Sequence, residues 1–287
     1  MVTGYLLAFI TSVLFSIYLV PRKFASQNPA VYTVFFGAGF FALSVIYWAS
    51  CGFDSLLNPI LLGSSLAGIL CALGFIIFTK AIDSIGLAQA NQWKNLQGPI
   101  GVVLGLWLLA EIYQTNIFWV IAAAAAIFIS AAFLTVQDSA PKKLKLTGVL
   151  LAVISALCFG IMVCIQKWVV NSGVSVPAQL VCTSAFMLVS AAAYSLLMLK
   201  NQSYRLDKNN RLGLLAGMLW FPAGLCTLWS FELLPVSIAF TIIQLNAVWT
   251  ILIGVLIFRE ISIKQYWGRI SFGLIFSIVG IICLIFA

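Results

Sequence analysis

The chain has 287 residues, of which 63% are hydrophobic and 8% charged, and its mean hydropathy is +1.13. Soluble domains carry about 25% charged residues, so this composition is that of an integral membrane protein and excludes an ordinary soluble fold. The formal net charge of +8 does not point to nucleic acid, because the positive residues lie between apolar runs and form no basic face.

A membrane-spanning helix needs about 20 residues, and ten apolar segments meet that length: 3–21, 30–50, 60–80, 85–109, 114–134, 146–168, 177–198, 211–231, 235–258 and 265–286. Their apolar character is continuous, which excludes the alternating pattern of barrel strands. The first run has neither a basic leader region nor a small-residue cleavage site before Pro21-Arg22-Lys23, so it reads as a retained helix. Polar punctuation follows at PRKFASQNP, CGFDSLLNP, QDSAPKKLK and KNQSYRLDKNNR. The link 110–113 carries only Glu111 among charged residues, which makes the fourth and fifth helices antiparallel neighbours. The seven cysteines form no CxxC pair and read mostly as small apolar residues.

Charge sets the expected orientation. The connections after helices one, three, five, seven and nine hold nearly all the lysines and arginines, among them Arg22, Lys80, Lys142, Lys143, Arg205 and Arg259. The opposite set holds Lys167 with Asp54, Glu111 and Glu232. The positive-inside bias places the first set in the cytoplasm and both termini outside. A multi-pass protein of the cytoplasmic membrane is expected.

The chain also repeats itself. GYLLAFITSVLFSIYLVPRK from Gly4 aligns with GVLLAVISALCFGIMVCIQK from Gly148, pairing Phe15 with Phe159 and Lys23 with Lys167. Further on, Asp83 corresponds to Glu232, Asn95 to Gln244, Gln97 to Asn246, and Glu111 to Glu260. Two five-helix units follow, at 1–137 and 145–287. Five is odd, so the second unit enters the membrane upside down, and such inverted repeats underlie alternating access. The expected fold is an all-α membrane protein with ten transmembrane helices arranged as two inverted five-helix repeats.

The stretch ELLPVSIAFTIIQLNAVWTILIGVLIFREISIKQYWG (232–268) ends a helix in Glu260 and, after a short loop, leads through Gln265 and Gly268 into a last helix with Gly273 and Gly280. In these residues the chain resembles the drug/metabolite transporter superfamily, specifically its EamA-like ten-helix members near the glucose/ribose/rhamnose uptake branch. The first half carries a weaker copy, with Glu111 in place but Asn116 and Trp119 at the Gln and Gly positions. Arg259 stands where members more often have glycine. The resemblance implies a carrier. Members handle sugars, amino acids, nucleotide sugars, organic phosphates and drugs, and both importers and exporters occur.

The residues themselves point to the fourth helix, AQANQWKNLQGPIGVVLG. A lysine at mid-bilayer costs about 2.5–3.5 kcal/mol on insertion scales, so Lys94 needs a wet cavity or a partner. Asn91, Lys94, Asn95 and Gly98 recur at spacings of three and four, giving one polar stripe, with Gln92 and Gln97 flanking it. Pro99 removes a backbone donor and frees the Asn95 carbonyl. Gly98, Gly101 and Gly105 permit close approach of another helix. The repeat brings Gln244 and Asn246 to the same depth, and the four central amides are expected to line one pocket. Trp249 lies one turn on, while Trp220 and Trp229 of the eighth helix offer aromatic surface. Ser12, Ser16 and Tyr18 on the first helix and Ser155, Cys158 and Gln166 on the sixth are further polar positions on otherwise apolar helices. The competing reading is that Lys94 and the amides bond neighbouring helices and fix packing.

No Asp or Glu falls in the middle third of any predicted helix, and histidine is absent. Lys94 is therefore the one deep titratable group, suited to holding a substrate carboxylate or phosphate or to exchanging a proton. Asp83 and Glu232 are expected in short turns before the fourth and ninth helices, Glu111 and Glu260 at the ends of those helices; all four, with Pro99, are assigned to gating or structure. No catalytic motif, Walker loop or metal-binding pattern is present, so neither enzyme activity nor a cofactor is expected. The sequence reads as a secondary transporter or facilitator for a small polar organic solute, an amino acid or related metabolite. A sugar uptake transporter and a non-transporting scaffold are the alternatives. Expected partners are that solute and membrane lipid, with no nucleic acid, and the chain is a monomer or homodimer.

Overall fold

The computed structural model describes residues 2–18, 20–25, 28–85, 90, 93–134, 145–199, 204–256 and 263–287. Among them the regular structure is entirely helical. In the first half lie α1 (Val2–Ile17), α2 (Val20–Phe24), α3 (Pro29–Ser50), α4 (Leu61–Ile85), α5 (Gln97–Leu108) and α6 (Ile117–Leu134), with a single 3₁₀ turn, Glu111–Tyr113, before α6. The second half contributes α7 (Leu146–Asn171), α8 (Val176–Met198), α9 (Lys208–Leu233), α10 (Val236–Ile243), α11 (Asn246–Leu256) and α12 (Ile263–Ile285).

Local chemistry sets several boundaries. Asn28 starts α3 by accepting the Ala30 N–H at 2.9 Å, with Pro29 at the first helical position, where its missing donor costs nothing. Asp207 starts α9 in the same manner, accepting the Asn210 N–H at 2.8 Å. α9 then runs without interruption through Pro222. Asp83 and Glu232 do not sit in turns. They occupy the last turns of α4 and α9, which extend past the predicted ends, and a carboxylate there meets the unfavourable, negative end of the helix dipole. Each feels a compensating cation: Arg22 for Asp83 and Lys167 for Glu232.

Eight helices among the described residues are long and apolar enough to cross a membrane. Large apolar side chains face outward, including Leu6 and Phe9 on α1 and Phe272, Ile275 and Ile278 on α12, as lipid contact requires. The protein is thus a multi-pass membrane protein. The two remaining predicted crossings, 85–109 and 235–258, are interrupted in their middles. Asn95 and Leu96 form a turn before α5, and Gln244 and Leu245 form one between α10 and α11. Both turns carry the same tight bonds. Leu96 donates to the Trp93 carbonyl (3.2 Å) and Gly98 to that of Asn95 (3.1 Å); Leu245 donates to Ile242 (3.0 Å) and Ala247 to Gln244 (3.2 Å). Pro99 explains the first break, since it cannot donate to Asn95. The second has Val248 at the corresponding place, and its N–H turns to the Leu245 carbonyl at 2.9 Å, so proline is not required for this geometry.

Packing joins the two halves throughout. α4 lies against α7 and α8, α9 against α1 and α3, α3 against α8, and α6 against α12. Two glycines at repeat-related positions mark close helix crossings. A Cβ on Gly68 would stand 2.2 Å from the Thr183 carbonyl of α8, and one on Gly217 would stand 1.9 Å from the Phe36 carbonyl of α3. No side chain fits at either place. The hydroxyls of Ser130 and Ser277, 2.6 Å apart, join α6 to α12. All seven cysteines are free thiols.

Candidate functional site

The helix breaks meet at the centre of the molecule. Gly98, Gly101 and Gly105 of α5 face α10, where added Cβ atoms would lie 2.9 Å from Gln244, 2.7 Å from Phe240 and 2.5 Å from Val236. This close approach brings the two turns together, and the Gln97 Nε2 donates to the Gln244 Oε1 at 3.5 Å, a long bond at the limit of the interaction.

A cavity of about 60 Å³ opens on one side of this junction, room for several waters. Lys94 and Gln97 reach it from the first break, Asn246 from the second, and Gln166, Thr183 and Thr227 from α7, α8 and α9. Trp220 forms an aromatic wall. Its ring lies 4.5 Å from both Phe15 and Tyr18, 5.6 Å from Phe36 and 5.5 Å from Phe75. The Lys94 ammonium stands 5.4 Å from the Phe78 ring centre and 5.3 Å from that of Phe159, within cation–π range. No carboxylate lines this cavity among the described residues.

Asn95 and Gln244 face the other way. With Gly98, Pro99 and Thr241 they line a separate void of about 10 Å³ against α6, the size that holds one water. Both side chains are buried, and Asn95 Nδ2 and Gln244 Nε2 have no hydrogen-bond partner among the described residues. The single pocket expected for the four amides is thus two, because the turn at Asn95–Leu96 rotates successive side chains off one helical stripe. Lys94 and Gln97 go to the large cavity, Asn95 to the small one.

The aromatic expectations divide as well. Trp220 lines the large cavity. Trp249 does not: its Nε1 donates to the Ser12 hydroxyl at 2.9 Å and its ring meets Phe9 edge-on at 5.5 Å, which fastens α11 to α1. Trp229 is half-buried against the core and lines neither void. Ser16 donates to the Asn246 carbonyl at 2.8 Å, a structural contact. Asn91, Gln92 and Glu260 lie outside the described residues. Tyr18 and Gln166, polar positions in the sequence, do reach the cavity. Thr183, Thr227 and Thr250 were missed. Their only signal is a hydroxyl on an otherwise apolar helix, which more often bonds its own backbone, as Thr227 does to Ala223 at 2.7 Å.

Two buried charges sit beyond the cavity, at the link between α9 and α10. Glu111 is 2% exposed, and its carboxylate accepts the N–H groups of Val236 at 2.6 Å and Ser237 at 2.9 Å, the first free donors of α10. Lys167, 8% exposed, donates to the carbonyls of Phe231 and, at 2.9 Å, Leu234, the last acceptors of α9. Neither residue touches the cavity.

A membrane protein whose crossing helices enclose an amide- and aromatic-lined hollow has the build of a solute carrier. The family of sugar transport proteins matches residues 6–287, and the chain belongs to that family. A protein of Listeria monocytogenes serovar 1/2a (strain ATCC BAA-679 / EGD-e), described as a candidate sugar uptake protein, is 22% identical over 251 residues, 85% of each chain. One solved crystal structure aligns with a TM-score of 0.79 at 16% identity, over 99% of this chain and 96% of the other. At that identity the likeness speaks to the fold alone.

Proposed function

We propose that this protein is a secondary transporter or facilitator for a sugar, working by alternating access in the cytoplasmic membrane. The observation that carries the reading is the central cavity, where both helix breaks present amides, Gln97 and Asn246, beside the Trp220 ring. Amides pair with sugar hydroxyls in both directions, and an indole face suits the C–H side of a sugar ring. Family membership and the Listeria relative favour the sugar alternative over the amino acid expected from Lys94 alone. Lys94, Gln97, Asn246 and Trp220 are the proposed solute-binding residues. Asp83, Glu111, Glu232 and Lys167 act at helix ends. No catalytic step is assigned.

The proposed architecture is that of the drug/metabolite transporter superfamily, with ten crossings in two inverted halves and both termini outside. Packing supports it. Gly68 of α4 meets α8 at Thr183, and its repeat mate Gly217 of α9 meets α3 at Phe36, so each contact recurs with the halves exchanged. The matched turn bonds at the two breaks add to this. Uptake of a panel of labelled monosaccharides and sugar acids into proteoliposomes tests the function. Saturable uptake of at least one is expected, and Trp220→Ala should lower it about tenfold or more, since aromatic contact and area are both lost. Vesicles that take up none would leave the scaffold reading in its place.

A further inference from the structure

We infer that the solute is a singly charged sugar acid, a monosaccharide bearing one carboxylate, with Lys94 as its counter-ion. The inference rests on the reading of the central cavity as the solute site and names the class of sugar it takes.

Charge within the cavity is unbalanced. Among the described residues that line it, Lys94 is the one cation and none is an acid. Its described neighbours include the Cys71 thiol and the ring faces of Phe78 and Phe159, and the rings attract a cation but accept no strong hydrogen bond. Gln97, Gln166, Asn246 and the threonines are neutral. A neutral hexose would use these groups fully and leave the ammonium without a counter-ion among the described lining residues. Buried charge without a partner is costly. A solute carboxylate removes that cost at the moment of binding and forms a charge-assisted bond, roughly twice as strong as a neutral one.

The count of charges also selects the kind of anion. A phosphate monoester carries about −1.5 to −2 at neutral pH. Beside a single lysine it would leave up to about one negative charge unpaired, and no arginine among the described lining residues supplies the two-pronged contact that phosphate favours. A carboxylate carries one charge and closes the balance. The remaining surface fits the rest of a sugar acid: the amides and threonines meet ring hydroxyls, and Trp220 lies along the apolar wall.

Matched pairs test this in the full-length protein purified in detergent. Calorimetry would compare glucose with glucuronate, galactose with galacturonate, and glucose 6-phosphate with both. In at least one pair the acid is expected to bind with a Kd about tenfold or more below that of its neutral sugar, equivalent to about 1.4 kcal/mol. Lys94→Gln should bring the pair to within about threefold, and Lys94→Arg should keep the preference, because the charge remains. The wild-type ratios decide the matter even where a variant does not fold. If neutral sugars bind as tightly as their acids in both pairs, the acid inference is overturned and the sugar reading stands. Tightest binding of glucose 6-phosphate would overturn the single-charge argument. Should none of the five bind and no sugar enter proteoliposomes, the sugar reading itself fails and takes this inference with it.

Discussion

Glu111 and Lys167 act as a pair of opposite clamps on one short link. Glu111 holds the opening N–H groups of α10, and Lys167 holds the closing carbonyls of α9, so Leu234 and Pro235 are fixed from both sides. Each charge complements the helix end it meets, and the two attract each other. Hydrogen bonds to charged groups contribute about 1.5–3 kcal/mol each. Glu111→Ala, which loses two, should therefore destabilise the protein by about 3 kcal/mol or more. Glu111→Gln keeps one acceptor oxygen and should cost less. Thermal unfolding in detergent measures both, and a Tm unchanged in Glu111→Ala would refute the clamp. The sequence marks Glu111 through its repeat mate Glu260 but not its role, since its partner Val236 is 125 residues distant. Lys167 was legible only as the counterpart of Lys23. Lys94 was legible outright, because no mid-membrane lysine goes unexplained, whereas the threonines around it look like any hydroxyl in an apolar helix.

At the level of elements, the glycines mark where helices of one half reach the backbone of the other. Gly217 has no space for a methyl group, with the Phe36 carbonyl 1.9 Å from the ideal Cβ position, while Gly268 in α12 has nothing within 4 Å of its own. Gly217→Ala must push α9 away from α3 and should cost about 1–3 kcal/mol, the usual range for overpacking. Gly268→Ala should instead be neutral or gain up to about 1 kcal/mol, because alanine loses less backbone freedom in a helix. Opposite signs in a paired Tm measurement are expected, and equal effects would contradict the packing described. Ala110 offers a third case. It follows α5 in the left-handed region, at φ 56°, where a Cβ costs about 1–2 kcal/mol. Ala110→Gly should raise Tm by relieving that strain. Most helices were legible from length and hydropathy, and the first break from Gly98-Pro99. The second was hidden: Gln244, Leu245 and Asn246 contain no helix breaker, and their turn is visible only where α10 lies across α5. The division of the amides between two cavities follows from these turns, so a continuous helical stripe could not foretell it.

At the scale of the whole molecule, the proposed inverted repeat makes a demand that packing alone does not. Exchanged contacts such as Gly68 on α8 and Gly217 on α3 follow from a two-fold axis between the halves; in the inverted arrangement proposed, that axis lies in the membrane plane and carries equivalent loops to opposite faces. The connection 51–60 joins α3 to α4, and 199–207 joins α8 to α9; these are matching positions in the two halves. The positive-inside bias assigns the first to the outside and the second, with Arg205 and Lys208, to the cytoplasm. Ser55 and Leu206 are exposed in these loops and suit single-cysteine labelling once Cys51, the exposed native thiol, is replaced by serine. A membrane-impermeant maleimide added to intact cells should modify Ser55→Cys and leave Leu206→Cys untouched until the membrane is permeabilised. Labelling of both from the same side would mean that the halves lie parallel. A parallel pair has no symmetry that exchanges inward-open and outward-open forms, and the exchange of conformations between the halves proposed here would then lose its structural basis even though the central cavity remained.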